Sequence, residues 1–270
     1  MSPTIPVPTA LGRVIDLKYP SNRWAVLGSL GAAAASKVAG RSWAGSARVG
    51  LSGFAAWSLA RELDPDASRT ANVALPIAAL ATFQAGEEAG ELHELAALLP
   101  AFATLAGLRL ATASTGDAPR WYDHLAVTGV SALTGQSGNH AMALLPALSA
   151  LASMLARDGR EPPAWLAPLA AAAGLMPRGP EEPDLTNHRQ GVSGGLAGLA
   201  LALSPLLTPR EQVDSEMDNG EGKISPQRLQ AARLLGVLGV GLGLTGDHAR
   251  AGIPLAAATA VIASRRVLWG

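Results

Sequence analysis

Stretches that contain no Asp, Glu, Lys or Arg alternate with short charged connectors along most of this 270-residue chain. About ten such stretches can be delimited, and Ala and Leu dominate them. Runs of β-branched residues and strict alternation of polar and apolar positions are missing, so the pattern predicts helices rather than strands. The predicted helical stretches are Trp24–Ser36, Val49–Ala60, Thr70–Gly86, Leu95–Leu108, Leu125–Leu133, Ala141–Ala156, Pro162–Pro177, Gln190–Pro209, Leu234–Gly246 and Ala251–Ser264.

The connectors between these stretches are rich in turn-forming residues, and one of them is much longer than the others. The segment 208–227 is polar, acidic and contains Gly, which is typical of an exposed loop. The sequence therefore predicts a polar lead-in over 1–23, the first part of a helical bundle over 24–207, this loop over 208–227, and a C-terminal helical hairpin of the same bundle over 228–270.

Charges are missing from whole helical stretches, and not only from one face of each. A helix that is apolar all round lies either in a protein core or in a membrane. Charged residues make up 16% of the chain, compared with about 25% in a typical soluble domain. The pattern therefore predicts an all-α, polytopic bundle of about 8–10 short helices rich in Ala, Leu and Gly.

The Lys and Arg residues of the connectors are unequally divided between the two predicted sides of the bundle. If the stretches alternate in direction, the side with both termini receives about 15 of them and the other side about 6. This bias predicts a multi-pass protein of the cytoplasmic membrane with both termini in the cytoplasm. Aromatic residues at or near the ends of stretches are also typical of membrane interfaces. They are Tyr19, Trp24, Trp43, Trp121, Tyr122, Trp165 and Trp269.

The lengths of the stretches leave a soluble protein open as the alternative. Several of them have about 12–16 residues between charges, whereas a membrane span needs about 20 and at least 17. Ala and Gly are also only weakly hydrophobic. The alternative is a cytoplasmic, soluble α/α helical array or toroid that binds a partner.

One connector, Arg61–Arg69, places the carboxylates Glu62, Asp64 and Asp66 within five residues of one another. Oxygen ligands of this kind bind Mg²⁺ together with substrate phosphates. They predict a possible catalytic centre in a membrane-embedded, metal-dependent transferase that acts on a lipid or a phosphorylated substrate. The alternative is that Asp66 or Ser68 caps the following helix.

Histidines follow Asp or Asn in several connectors. In the alternating arrangement, His140, His188 and His248 lie on the same side of the bundle, as does His93. Imidazoles gathered on one rim are candidate metal ligands. The alternative is that histidines, being polar, simply occur at helix ends.

The remaining features limit the classes of function. A net charge of zero argues against nucleic acid as a partner, and the absence of Cys excludes disulfides and thiolate chemistry. No phosphate loop, nucleophile elbow or zinc-protease motif is present, and no particular cofactor is indicated. Two groups of small residues predict close helix packing, Gly191, Gly194, Gly195 and Gly198 in one and Gly239 and Gly243 in the other. The polar residues Thr128, Ser131, Thr134, Gln136 and Asn139 are candidates to line a cavity.

The sequence therefore predicts an integral membrane protein that transports a small solute or belongs to a membrane complex. The lipid bilayer is its expected partner, and protein partners are open. The membrane-embedded transferase and the soluble binding protein are the alternatives.

Overall fold

The fold is described from a computed structural model, which describes residues 9–87, 90–177, 191–245 and 249–269. Within these residues the regular structure is helical, apart from one isolated bridge between Glu216 and Lys223. The α-helices are α1 (Pro20–Val38), α2 (Trp43–Leu63), α3 (Ser68–Ala85), α4 (Glu91–Ala96), α5 (Leu99–Thr112), α6 (Trp121–Gln136), α7 (His140–Ala143), α8 (Leu145–Met154), α9 (Leu166–Gly174), α10 (Gly191–Ala202), α11 (Pro226–Leu244) and α12 (Ile253–Trp269).

The all-α prediction is confirmed, and each predicted stretch contains helix. Two stretches are divided into a short helix and a longer one. α4 precedes α5, and α7 precedes α8. The longer helix has Pro100 or Pro146 in its first turn. Proline lacks a backbone N–H and is tolerated in the first turn of a helix, so both stretches break just before it.

Two helices, α2 and α12, lie at the centre of the bundle. α2 and α12 pack against each other and against α3, while α5 packs against α2, α8 and α11. Every residue of α12 from Ile253 to Ala260 is buried. The core around it consists mainly of Ala and Leu, which allows the helices to approach closely.

The two groups of glycines differ in their surroundings. A Cβ atom at Gly239 of α11 would lie 2.7 Å from Leu255 and 2.8 Å from Leu145, and one at Gly243 would lie 3.5 Å from Met142. Close packing is therefore found at this pair. At Gly191, Gly194, Gly195 and Gly198 of α10, an added Cβ would have no neighbour within 4 Å. The prediction of close packing is wrong for α10 within the described structure.

Contacts at one end of the bundle join the ends of many helices, and we call this the charged end. It consists of the lead-in 9–19, the connectors 64–67, 113–120, 155–165 and 203–225, and the adjoining helix termini. Arg265 in the last turns of α12 reaches Asp64 after α2, and Arg228 at the start of α11 reaches Asp158 after α8. Most of the Lys and Arg residues that the structure describes lie at this end.

One helical stretch, Glu91–Thr112, has the length and the apolar composition of a membrane span, among the residues that the structure describes. It contains α4 and α5 and has 22 residues, and 61% of its most apolar part is buried inside the bundle. A central helix of a soluble protein has the same properties, so this stretch alone is weak evidence for a membrane.

Candidate functional site

Glu62 lies in the last turn of α2 and is almost completely buried. Its carboxylate accepts hydrogen bonds from Nη1 of Arg13 at 3.3 Å and from Nε of Arg109 at 3.2 Å. The hydroxyls of Thr112 and Ser114 donate to its other oxygen at 3.2 and 2.5 Å. Two guanidinium groups and two hydroxyls thus surround the carboxylate, which joins the lead-in, α2 and the end of α5.

Asp64 caps the C-terminal end of α2 and is also buried. It accepts a hydrogen bond from Arg265 at 3.0 Å and one from Thr70 of α3 at 3.1 Å, and Arg233 of α11 lies 3.9 Å away. Burial outweighs the attraction of Arg265 and Arg233 and raises the pKa of Asp64 above its ordinary value. This carboxylate therefore links the ends of four helices.

Asp66 is exposed and binds the long loop. Its carboxylate accepts hydrogen bonds from the backbone N–H groups of Asp214 and Ser215 at 3.1 and 2.7 Å, and one from the Ser215 hydroxyl at 2.5 Å. The expectation that Asp66 or Ser68 caps α3 is wrong. The helix begins at Ser68, and its N-cap residue is Ala67, which makes no side-chain cap.

The three predicted catalytic residues are close in sequence, but none of them shares a hydrogen-bond donor with another. Glu62 and Asp64 bind different arginines, and Asp66 binds the loop. No group of three or more His, Asp or Glu side chains in the described ranges could hold a metal ion. The arrangement joins elements of the fold, and the catalytic assignment stays a prediction.

The long loop is tied to the charged end at several further points. Asp218 receives two hydrogen bonds from Arg13, at 2.5 and 2.8 Å, and its backbone N–H donates to the Ser114 carbonyl at 3.0 Å. Glu211 binds Arg233 at 3.1 Å and Arg266 at 2.6 Å. A small apolar cluster lies beneath the loop and consists of Val213, Met217, Ile224 and Leu229.

Arg228 joins the start of α11 to the ends of α5 and α8, and no feature of the sequence indicated this role. It donates two hydrogen bonds to Asp158, both at 2.7 Å, and further ones to the carbonyls of Leu110 and Ala111, both at 3.1 Å. The guanidinium thereby satisfies carbonyl groups at the C-terminal end of α5, where helices leave such groups unpaired. Its partners are backbone atoms or side chains 70 or more residues away in sequence, so no local pattern marked it.

Of the three candidate metal-binding histidines, His140 is the one that lies in the part of the chain that the structure describes, and the metal site stays a prediction. Nδ1 of His140 lies 3.0 Å from the carbonyl oxygen of Gly174, which links the start of α7 to the end of α9. His188 and His248 lie outside the described residues.

A second candidate site is a groove between α6 and α9 that lies next to the charged end. Its volume is about 270 Å³, and it is lined by Trp121, His124, Leu125, Thr128, Trp165 and Leu169. The His124 and Trp165 rings meet edge to face, with their centroids 5.1 Å apart. Two indoles, an imidazole and two leucines thus form a largely apolar and aromatic wall.

Three polar atoms along one face of α6 have no hydrogen-bond partner although they are buried. They are Nε2 of His124, Oγ1 of Thr128 and Oγ of Ser131. The spacing of these residues places them on successive turns. Thr134, on the next turn, instead donates to the carbonyl of Val130 at 2.7 Å. Of the polar residues predicted to line a cavity, Thr128 therefore lines this groove, and Ser131 lies one turn further along the same face.

The outward positions of the peripheral helices are apolar over the middle of the bundle. On α3, the residues exposed between Arg69 and Gln84 are Val73, Pro76, Ile77 and Leu80. On α1 they are Trp24, Leu27, Leu30, Gly31, Ala34, Ala35 and Val38, and on α10 they are Gly191, Val192, Gly195, Gly198, Leu199 and Ala202. These faces lack the polar stripe that a helix normally exposes to water.

Comparison with protein-family models, curated proteins and solved structures finds no match to this chain.

Proposed function

We propose that the protein is a multi-span integral membrane protein that serves as a component of a membrane complex or as a binding protein within the membrane. The observation that carries this proposal is the composition of the outward helix faces. Soluble proteins rarely expose apolar patches larger than a few hundred Å². The exposed faces of α1, α3 and α10 are apolar along the middle of each helix, which favours lipid over water as the surrounding medium.

The distribution of exposed aromatic residues also supports a membrane. Trp121 and Trp165 are 70% and 53% exposed and lie near the charged end, whereas Trp43 is 74% exposed and begins α2 at the opposite end. Exposed indoles at both ends of an apolar layer are typical of a protein that crosses a bilayer.

The apolar layer of the bundle is thinner than the core of a typical bilayer, so the proposal requires that the membrane or the side chains adapt to it. On α3 it extends from Arg69 to Gln84, which corresponds to about 22 Å along the helix. A bilayer core is about 30 Å thick. Thinning of the bilayer and extension of long side chains from the two ends would reduce this mismatch.

The charged end is assigned to the cytoplasm because it holds the majority of the Lys and Arg residues. Both described termini of the bundle, at the start of α1 and the end of α12, lie at this end.

The packing of the centre favours a component or binding protein over a transporter of small solutes. α12 fills the middle of the bundle, and Leu255, Ala257 and Ala258 are almost completely buried there. The ion pairs of Glu62 and Asp64 with arginines likewise favour a structural role for these carboxylates over the binding of Mg²⁺.

Cell fractionation tests the membrane location. We expect the protein to remain in the pellet after extraction with alkaline carbonate and to be released by a mild detergent. Recovery in the supernatant after ultracentrifugation without detergent would overturn the proposal and favour the soluble array.

Cysteine labelling tests the orientation, because the natural chain has no Cys. We would introduce Glu221→Cys in the exposed loop and Ala39→Cys after α1, each as the only cysteine. A membrane-impermeant maleimide should label Ala39→Cys in intact cells, but Glu221→Cys only after permeabilisation. The reverse pattern would contradict the assigned orientation.

A further inference from the structure

We propose that the groove between α6 and α9 binds the head of a lipid-soluble quinone, a planar ring that bears carbonyl oxygens. This inference rests on the proposed membrane location, because such a ligand would enter from the membrane past the exposed apolar residues of α6 and α9, such as Leu125, Leu133 and Leu169. The carboxylates of the charged end play no part in it.

Two buried polar atoms in the otherwise apolar wall of the groove are the first argument. Nε2 of His124 and Oγ1 of Thr128 are buried and have no partner, and both residues line the groove. The two residues lie one helical turn apart on the same face of α6. One ligand in the groove would therefore lie next to both of them. Buried polar groups are almost always hydrogen-bonded, and a pair without partners indicates that a ligand completes them.

The aromatic walls indicate which part of a ligand the groove fits. Trp121 and Trp165 offer ring surfaces, and Leu125 and Leu169 offer aliphatic ones. Planar rings pack favourably against aromatic side chains in stacked or edge-to-face arrangements. A groove of about 270 Å³ has room for a substituted ring. The alkyl tail of the ligand would extend outwards past the exposed leucines of α6.

The absence of charged side chains among the described residues that line the groove favours a quinone over a lipid with an anionic head group. The described residues that line the groove include no Lys, Arg, Asp or Glu. An anionic phosphate head group would therefore meet no cation there, whereas basic pockets are typical of sites for such lipids. An acyl chain would leave His124 and Thr128 unpaired. A neutral carbonyl oxygen accepts from an imidazole N–H or a hydroxyl, and it needs no counter-ion.

A binding titration tests the proposal. Purified protein in detergent is titrated with a benzoquinone that carries a ten-carbon tail, and binding is followed by isothermal calorimetry. A saturated ten-carbon alcohol serves as the probe without a ring or carbonyl. We expect saturable binding of the quinone and much weaker binding of the alcohol. Equal binding of both probes would overturn the proposal, as would no binding of the quinone.

Variants locate the site. His124→Leu and Thr128→Val each remove one hydrogen-bonding group, and we expect each to weaken quinone binding on the order of tenfold. Thr134→Val is the matched control on the same helix, because its hydroxyl already donates to the Val130 carbonyl, and it should bind like the natural protein. If His124→Leu failed to fold, Thr128→Val would still decide the question. Unchanged affinity in both groove variants would overturn the proposal.

Failure of this inference can be told apart from failure of the proposed function. Fractionation reports the membrane location without reference to the groove. The titration reports the groove, and it can be performed on the protein whether detergent or buffer keeps it in solution.

Discussion

The charged end and the α6–α9 groove both bury polar side chains, but the carboxylate of Glu62 at the charged end has several hydrogen-bond donors, whereas the buried polar atoms of His124 and Thr128 in the groove have no partner. Glu62 at the charged end is surrounded by four donors from two separate parts of the chain, the lead-in and the end of α5. In the groove, Nε2 of His124 and Oγ1 of Thr128 are buried without a partner. Pairing of a buried group supports the fold, whereas an unpaired group is unfavourable for the fold and is better explained by a ligand.

This difference favours the groove over the charged end as the place where a ligand binds. The cluster Glu62, Asp64 and Asp66 has the composition of a metal site, but its carboxylates already bind arginines and the long loop. The groove has no recognisable motif. What distinguishes it is that two polar atoms without partners, in His124 and Thr128, belong to neighbouring residues in the wall of one groove, and this property belongs to the tertiary structure.

The largest expected effect is that of Glu62→Leu. The substitution leaves Arg13 and Arg109 without their shared carboxylate, and breaking a buried ion pair in this way typically costs about 3–5 kcal/mol. We expect a corresponding decrease in the free energy of unfolding, measured by thermal or denaturant unfolding in detergent.

The matched control for Glu62→Leu is Glu221→Leu in the exposed loop. Glu221 is paired only loosely with Arg160, at 3.7 Å, and exposed pairs contribute less than about 1 kcal/mol. If both variants lowered the free energy of unfolding by the same amount, the buried contacts of Glu62 would not account for the stability of the charged end.

Asp66→Ala should have a smaller and more local effect. It removes the acceptor of three hydrogen bonds from Asp214 and Ser215, and because this site is exposed we expect a cost of about 1–2 kcal/mol. The loop should become susceptible to limited proteolysis while the helical content stays the same. A loop that remained resistant would indicate that Arg13 and Glu211 suffice to hold it.

Acidification should release the same loop without any substitution. Although burial acts to raise it, the hydrogen bonds from Ser215 and from the backbone N–H of Asp214 leave the pKa of Asp66 below its ordinary value. The folded-state pKa is therefore lower than the unfolded one. The contribution of this carboxylate is complete above the unfolded pKa of about 3.9 and is lost as the pH falls through the folded value.

Proteolysis of the loop at pH values between about 6 and 3 measures this effect. We expect cleavage to increase below about pH 4 in the natural protein and to depend less on pH in Asp66→Asn, which has no charge to lose. Identical pH profiles for the two proteins would show that other carboxylates, such as Asp218, control the docking of the loop.

The positions of the helices were predictable from the sequence, because the absence of charge over a helical length is a local property. Even the breaks before Pro100 and Pro146 follow from local chemistry. The partners of Glu62 were not predictable, since Arg13 and Arg109 are 49 and 47 residues away along the chain. The pattern gave the helices and their order, but not which helix ends meet.

The groove was predictable only in part. Thr128 and Ser131 are recognisable as polar residues in an apolar stretch, but His124 simply follows Asp123 next to a connector, and Trp121 and Trp165 resemble interfacial aromatics. Their contribution to one groove depends on the packing of α6 against α9. No local signal indicates that the Thr134 hydroxyl binds its own helix while that of Thr128 does not.

Substitutions in the groove should have the smallest effect on the free energy of unfolding. They test directly whether the groove differs from the charged end. His124→Leu and Thr128→Val each replace an unpartnered polar group with an apolar one of similar size. Such a change removes an unfavourable burial without breaking a hydrogen bond, although His124→Leu also loses the ring contact with Trp165. We therefore expect the unfolding free energy to stay within about 1 kcal/mol in both variants. Thermal unfolding in detergent, measured without quinone, reports this. A loss as large as that of Glu62→Leu would mean that both regions hold the fold, and the groove would then no longer differ from the charged end.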